Sequence, residues 1–249
     1  MSSLVWRIAH FSEIDSTNTW AVAQARSGAP EGLVAYADYQ RGGRGRLDRS
    51  WESPAGASLL CSILLRPLVP ADDLTLVLGA VALAARAALV RLSGLRPSLK
   101  WPNDLVVGDA KLAGLLAEFV PEGDLDAVVV GIGVNLTHEG PMNVVATSVR
   151  EQTGVTVTPA ALLDILLEEL ESRRALLDTT EGRAALRDEY LASLATIGRR
   201  VSVQLFDATV VGEALGVDES GRLVLDVDGV EIVLAAGDVV HVRPPGDES

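Results

Sequence analysis

The feature that most constrains the fold is a change of texture after Gly198. Beyond it the chain breaks into five short β-favouring runs, at residues 199–205, 209–217, 223–227, 230–235 and 239–242. Phe206-Asp207, Asp218-Glu219-Ser220-Gly221 and Asp228-Gly229 punctuate them. Strands this short and closely spaced bury their apolar faces by wrapping on one another, which predicts a small barrel. Asp228-Gly229 between apolar runs is a hairpin signature, because a type I′ turn needs positive φ at both central residues. A boundary near residue 196 follows, dividing a unit at 1–196 from a small one at 197–249.

Upstream, strand and helix periods alternate. Residues 5–14, 33–39 and 58–65 read as strands. Residues 19–26 read as a helix, entered through the cap-forming types Asp15-Ser16-Thr17-Asn18 and stopped at Gly28-Ala29-Pro30. Residues 72–92 are the most apolar stretch, yet Asp72, Asp73 and Arg86 interrupt them, and no run approaches the roughly 18 uninterrupted apolar residues of a membrane span. They read as a buried helix. Strand patterning returns over 98–134, with 111–120 and 125–130 as a hairpin around Pro121-Glu122-Gly123-Asp124, and helices follow at 159–177 and 181–194. Residues 40–56 are too polar for core, and a loop of that length is usually functional or disordered. Pro244 to Ser249 read as a frayed end.

Composition excludes several classes. A formal net charge of -13 argues against broad nucleic-acid or membrane-surface binding. The single cysteine, Cys61, excludes an intramolecular disulfide and suits a reducing cytoplasm. Met1 to Phe11 lacks a basic-then-apolar signal region, so a cytoplasmic location is expected. His10, His138 and His241 are scattered without metal-ligand spacing, so no side-chain metal cluster is expected. There is no P-loop motif, and Gly131-Ile132-Gly133, read as following a strand, lacks a third glycine at residue 136, which is leucine.

What remains is cationic and glycine-rich. Residues 40–49, Gln40-Arg41-Gly42-Gly43-Arg44-Gly45-Arg46-Leu47-Asp48-Arg49, mark a local anion site in an acidic chain. Glycines let backbone N–H groups approach phosphate oxygens, and arginines clamp carboxylate or phosphate through forked hydrogen bonds. A solvated loop or an RNA contact is the bland alternative, without the stacking aromatics RNA binding favours. Of the 21 basic residues only Lys100 and Lys111 are lysines. A lysine kept in an arginine-rich chain points to a tight site that a planar guanidinium cannot enter, with chance retention as the bland alternative.

Asp15-Ser16-Thr17-Asn18, the loop from Gln40 to Trp51, Lys100-Trp101-Pro102-Asn103-Asp104 with Lys111-Leu112-Ala113-Gly114, and Gly131-Ile132-Gly133-Val134-Asn135 occur in this order. The ordered set resembles the biotin–protein ligases. That resemblance implies an α+β fold: a class II synthetase-like catalytic domain with a mixed β-sheet and flanking helices, then a small SH3-like β-barrel. It also implies a reaction. Biotin's carboxylate attacks the α-phosphate of ATP, giving biotinyl-5′-adenylate and pyrophosphate, and a carrier-domain lysine then displaces AMP. Two anions must meet, so fixed positive charge has to offset their repulsion.

By resemblance, Ser16, Thr17 and Asn18 line the biotin pocket and Gln40 contacts biotin or the adenylate. Arg44, Gly45 and Arg46 close over carboxylate and phosphate, and Lys111 bridges the two. Asn103 and Asp104 orient nucleotide, Mg²⁺ or the incoming amine, with Mg²⁺ arriving with ATP near Asp104. Trp101, Gly114, Gly133 and Asn135 complete the substrate-binding set, and Lys100 either joins it or holds Asp104 in place. Trp51 and Trp101 also read as packing platforms. Asp48 stands where many relatives have glycine, adding a negative charge to the loop. The partner implied is the biotin carboxyl carrier domain of acyl-CoA carboxylases, and the chain is expected to be a monomer or weak homodimer. About fifteen residues precede the Ser-Thr-Asn motif, leaving no room for the helix-turn-helix that some relatives carry, so no DNA binding is expected. The rival readings are a lipoate ligase or octanoyltransferase relative, and a non-catalytic nucleic-acid-binding module.

Overall fold

The computed structural model describes residues 4–47, 49–69, 74–121, 126–138, 145–205, 207–235 and 237–241. Outside these lie Asp48, the predicted helix start at Asp72 and Asp73, the hairpin turn Glu122-Gly123-Asp124, Phe206 and the end Pro244 to Ser249.

The first sheet has seven strands. In chain order they are β1 (Arg7–Phe11), β2 (Leu33–Ala37), β3 (Ser58–Leu65), β4 (Ser98–Lys100), β5 (Asp104–Val107), β6 (Ala110–Val120) and β7 (Ala127–Asn135). They lie side by side in the order β1-β2-β3-β7-β6-β5-β4, with β1–β2 parallel and every other pair antiparallel. Gly131-Ile132-Gly133 therefore belongs inside β7 rather than after a strand.

β3 is buried at all eight positions because both faces are covered. On one face lies α1 (Thr17–Arg26), whose Ala21, Val22 and Ala25 pack on Leu64, Val120, Ala127 and Val129. The other face meets α2 (Leu74–Ser93) and α4 (Pro159–Leu176), with α5 (Thr180–Ser193) crossing α2. Leu59, Cys61, Ile63 and Leu65 point there, into the larger core. α2 is long and apolar enough to span a bilayer, but 67% of its most apolar window is buried inside the fold. The sequence reading missed a one-turn α3 (Val149–Thr153), too short to show a period.

The remaining strands, β8 (Arg200–Gln204), β9 (Thr209–Val217), β10 (Leu223–Val227), β11 (Val230–Leu234) and β12 (Asp238–His241), form an antiparallel sheet in the order β11-β10-β9-β8-β12. Its inner residues, Val201, Val203, Ala214, Leu223 and Leu225, join the same apolar cluster as the first sheet. Trp101 is the pin between them. It is 1% exposed, its N–H accepted by Thr196 Oγ1 at 3.1 Å and its indole Nε1 donating to the Gly221 carbonyl at 3.1 Å.

Two outcomes follow. Trp101→Phe, which keeps most of the packing, should lower unfolding free energy by about 1–2 kcal/mol through one lost buried hydrogen bond. Trp101→Ala should cost about 3–5 kcal/mol. Urea melts check both, and equal losses would contradict the pin. Burial pushes the Cys61 thiol up to about 12. Iodoacetamide at pH 7.5 should therefore leave native protein unmodified and alkylate it only in denaturant, read by mass.

Candidate active site

The site begins at the N-terminus of α1. On the α1 face, side chains alternate along each strand, and the rows across β3, β7 and β6 follow from the register. Leu64 and Val129 lie under the helix. The next rows are Ser62–Gly131–Leu116 and Leu60–Gly133–Gly114, and Asp104 on β5 extends the last. α1 has only ten residues and stops short of these rows, starting at Ser16, whose Oγ accepts from Thr19 N. Beyond the helix the sheet floors a cavity of about 810 Å³, walled by the loop and within the range of small-molecule sites.

One end of the cavity is polar and neutral. Thr17 donates twice to Gln40 Oε1, from its backbone N–H at 2.7 Å and its hydroxyl at 2.9 Å. That hydroxyl has one proton, so Ser62 Oγ, 2.8 Å away, is the donor of the pair they share. Asn18 donates through Nδ2 to Glu118, which also takes Arg44.

The other end is charged. Lys111 Nζ lies 2.7 Å from Asp104 Oδ1 and 5.8 Å from the centre of the Trp51 ring. Its aim depends on a bulge: Leu105 pairs with Ala113 but Val106 with Lys111, so Leu112 is an extra residue in β6. Without it, Lys111 would share the core face with Ala113 and Leu115; the extra residue turns it to the cavity beside Gly114. The backbone there is held by Lys111 N to Val145 O and Thr147 N to Lys111 O, both 2.9 Å.

Glycine makes the packing possible. A Cβ on Gly133 would stand 2.4 Å from Trp51 Cε2, and one on Gly114 would meet Lys111 Cε and Trp51 Cζ3, each at 3.0 Å. In the loop, Gly42 N–H goes to Asp15 O at 2.8 Å and Gly45 N–H to Arg49 O at 2.7 Å. Gly45 therefore folds the loop on itself and Gly42 ties it to the Asp15 turn, so neither N–H is presented to a phosphate, which corrects the sequence reading. Arg46 reaches Asn103 Oδ1 at 3.2 Å and the Gly237 carbonyl at 3.0 Å, and Arg49 pairs with Asp238. Burial lowers the proton affinity of Arg46, offset in part by Asp238 and Asp104. β12 thus supplies a wall of the site.

Ser16, Thr17, Asn18, Gln40, Arg44, Gly45, Arg46, Lys100, Asn103, Asp104, Lys111, Gly114, Gly133 and Asn135 all line the one cavity. Three expectations change. Trp101 is not in the lining; it is in the core, where its indole reaches the Gly221 carbonyl of the second unit. Asn103 spends Nδ2 on Leu115 O at 2.8 Å and Oδ1 on Arg46, so it orients an arginine. Lys100 faces Asp104 in the strand register yet forms no ion pair with it; Lys111 does. Asn135 donates to Thr147 O at 3.1 Å. Ser62, Glu118 and Asp238 were missed. The only hint was a hydroxyl inside an otherwise apolar strand at Ser62.

Comparison with known proteins gives the family. Residues 11–135 match the biotin/lipoate A/B protein ligase family, and residues 196–242 match the biotin protein ligase C terminal domain. A biotin–[acetyl-CoA-carboxylase] ligase of Mycobacterium tuberculosis is 38% identical over 240 residues, covering 93% of this chain and 88% of the relative. The ligase of the same name from Paracoccus denitrificans is 35% identical, covering 90% and 96%. A biotin protein ligase from Aquifex aeolicus, solved with biotin and ATP, superposes with a TM-score of 0.80 at 27% identity, covering 96% of this chain and 99% of that one. The mixed sheet with its flanking helices and the second, antiparallel sheet are the fold of that family. The chain belongs to the biotin/lipoate A/B protein ligase family and, within it, to the biotin protein ligases.

Proposed function

We propose that this chain joins biotin to ATP as biotinyl-5′-adenylate, releasing pyrophosphate, and then passes biotin to one lysine of a biotin carboxyl carrier domain of an acyl-CoA carboxylase. The observation that carries the reading is the cavity's polarity. A neutral hydrogen-bonding end at Thr17, Asn18, Gln40 and Ser62 suits the cyclic urea of biotin. A charged end, where Lys111, Arg46 and Arg49 stand beside Asp104 and Asp238, suits its carboxylate and the phosphates. A lipoyl or octanoyl group would bring no donor to the polar end, which favours biotin over that alternative.

Lys111 is the group that meets both anions. Its ammonium pairs with Asp104, and an incoming carboxylate and α-phosphate compete for the same charge. Arg46 and Arg49, anchored on Gly237 and Asp238, hold the loop over the same region and keep water from the adenylate. Among the described residues no three His, Cys, Asp or Glu side chains converge on a metal site. Mg²⁺ carried on the ATP phosphates would be held by Asp104, a carboxylate of the cavity lining, and would offset phosphate charge there. Transfer needs only the acceptor amine to reach the acyl carbon as AMP leaves. The net charge of -13 supports a ligase that does not repress transcription on DNA, and the lone buried Cys61 supports a cytoplasmic location.

Incubation with biotin, Mg-ATP and a carrier domain should add one biotin to the acceptor, read by mass. Lys111→Ala should slow this by about 10²–10³-fold. Lys111→Arg should be impaired by at least about tenfold although the charge is kept, because the lysine stem threads between Trp51 and Gly114 and a guanidinium is too wide. A fully active arginine variant would remove the geometric argument, and an unmodified acceptor with wild-type protein would remove the proposed reaction.

A further inference from the structure

We infer that Glu118 is a positioning residue that sets the donor–acceptor polarity of the cavity's neutral end, so that this end selects a head group bearing an N–H. The inference rests on the biotin-ligase reading and deepens it. Glu118 sits on the α1 face of β6 between Leu116, which lines the cavity, and Val120, which packs under α1. It stands behind the cavity wall and is outside the lining. Its Oε1 accepts from Asn18 Nδ2 and from Arg44 Nη2, joining the start of α1 to the arginine loop.

An ionised carboxylate only accepts hydrogen bonds, whereas an asparagine amide can present either its oxygen or its nitrogen. Facing Glu118, the Asn18 amide has one acceptable orientation, since a flip would set two lone-pair-bearing oxygens against each other. Nδ2 therefore points to Glu118 and Oδ1 is left over Gly131. Asn18 is 4% exposed, and Oδ1 is buried without a hydrogen-bond partner. Gly131 keeps the space beside it open: a Cβ there would lie 2.8 Å from Oδ1. An unpartnered buried acceptor is costly, and a ligand N–H seated over Gly131 relieves that cost. Thr17, Gln40 and Ser62 are bonded to one another and leave this demand unmet. The two N–H groups of a cyclic urea meet it; a dithiolane or alkyl end does not. Sites that depend on a ligand hydrogen bond reject analogues lacking it by as much as about 10⁴-fold.

The test is calorimetry of biotin binding to the full chain carrying Glu118→Gln, Asn18→Asp, both together, or Glu118→Asp, with thermal melts as the folding control. Glu118→Gln should weaken binding about tenfold, because glutamine no longer dictates the amide's orientation. Asn18→Asp sets two carboxylates together and should weaken it about a hundredfold. The double variant reverses the pair. The amide introduced at position 118 would donate to the carboxylate introduced at position 18, whose other oxygen stays an acceptor over Gly131, with the pair's net charge kept. Its affinity should return to within about tenfold of wild type. Glu118→Asp keeps charge but shortens reach, and should resemble Glu118→Gln. A folded double variant no better than Asn18→Asp alone overturns the inference, as does wild-type affinity in either single Glu118 variant. Should a single variant fail to fold, the double decides alone. Absence of biotin binding in the wild type would instead overturn the reading on which the inference rests, and the inference with it.

Discussion

A chain with thirteen excess negative charges has to build an anion site locally, and here that site depends on where one extra residue sits in one strand. The Leu112 bulge turns Lys111 out of the core face of β6 and into the cavity, 2.7 Å from Asp104. The ion pair holds the lysine in place. A pair that is 30% and 20% exposed keeps enough contact with water for the ammonium to remain available to a competing anion. Remove the bulge, and Lys111 would lie on the core face with Ala113 and Leu115, where an unpaired ammonium would be costly.

The rest of the site is arranged around that lysine. Gly114 and Gly133 keep the floor flat enough for Trp51 to lie on it, and Trp51 narrows the passage through which the Lys111 stem runs. The second sheet contributes through Gly237 and Asp238, which hold Arg46 and Arg49. Because Trp101 ties that sheet to the strand pair carrying Asp104, a change of fit between the sheets is felt at the arginines and at Asp104 together.

Much of this was legible in the sequence, for physical reasons. Continuous apolar runs gave β3 and the first part of β7, and the Asp228-Gly229 turn gave the β10–β11 hairpin, because those signals are local. The Ser16 cap and the gathering of Lys111, Asp104 and the loop arginines followed from an ordered set of motifs. What stayed hidden depends on register. No local pattern separates Leu112 as a bulge from Leu112 as an ordinary strand residue. Trp101 sits between site residues in the chain, but alternation and the second sheet carry it into the core. Glu118 reads as a polar residue at a strand's edge until β6 is laid beside β7 and α1. The glycines of the loop suggested a phosphate cradle, yet Gly42 and Gly45 spend their N–H groups on neighbours within it and in the Asp15 turn.

The central claim is that one cavity brings an acid and a nucleotide together at Lys111 and holds what they form. Native mass spectrometry of the chain after incubation with biotin and Mg-ATP, with no acceptor present, tests it directly. The account predicts a complex heavier by one biotinyl-adenylate per chain, with pyrophosphate in solution. Chains carrying only intact ATP, only biotin, or neither would contradict it.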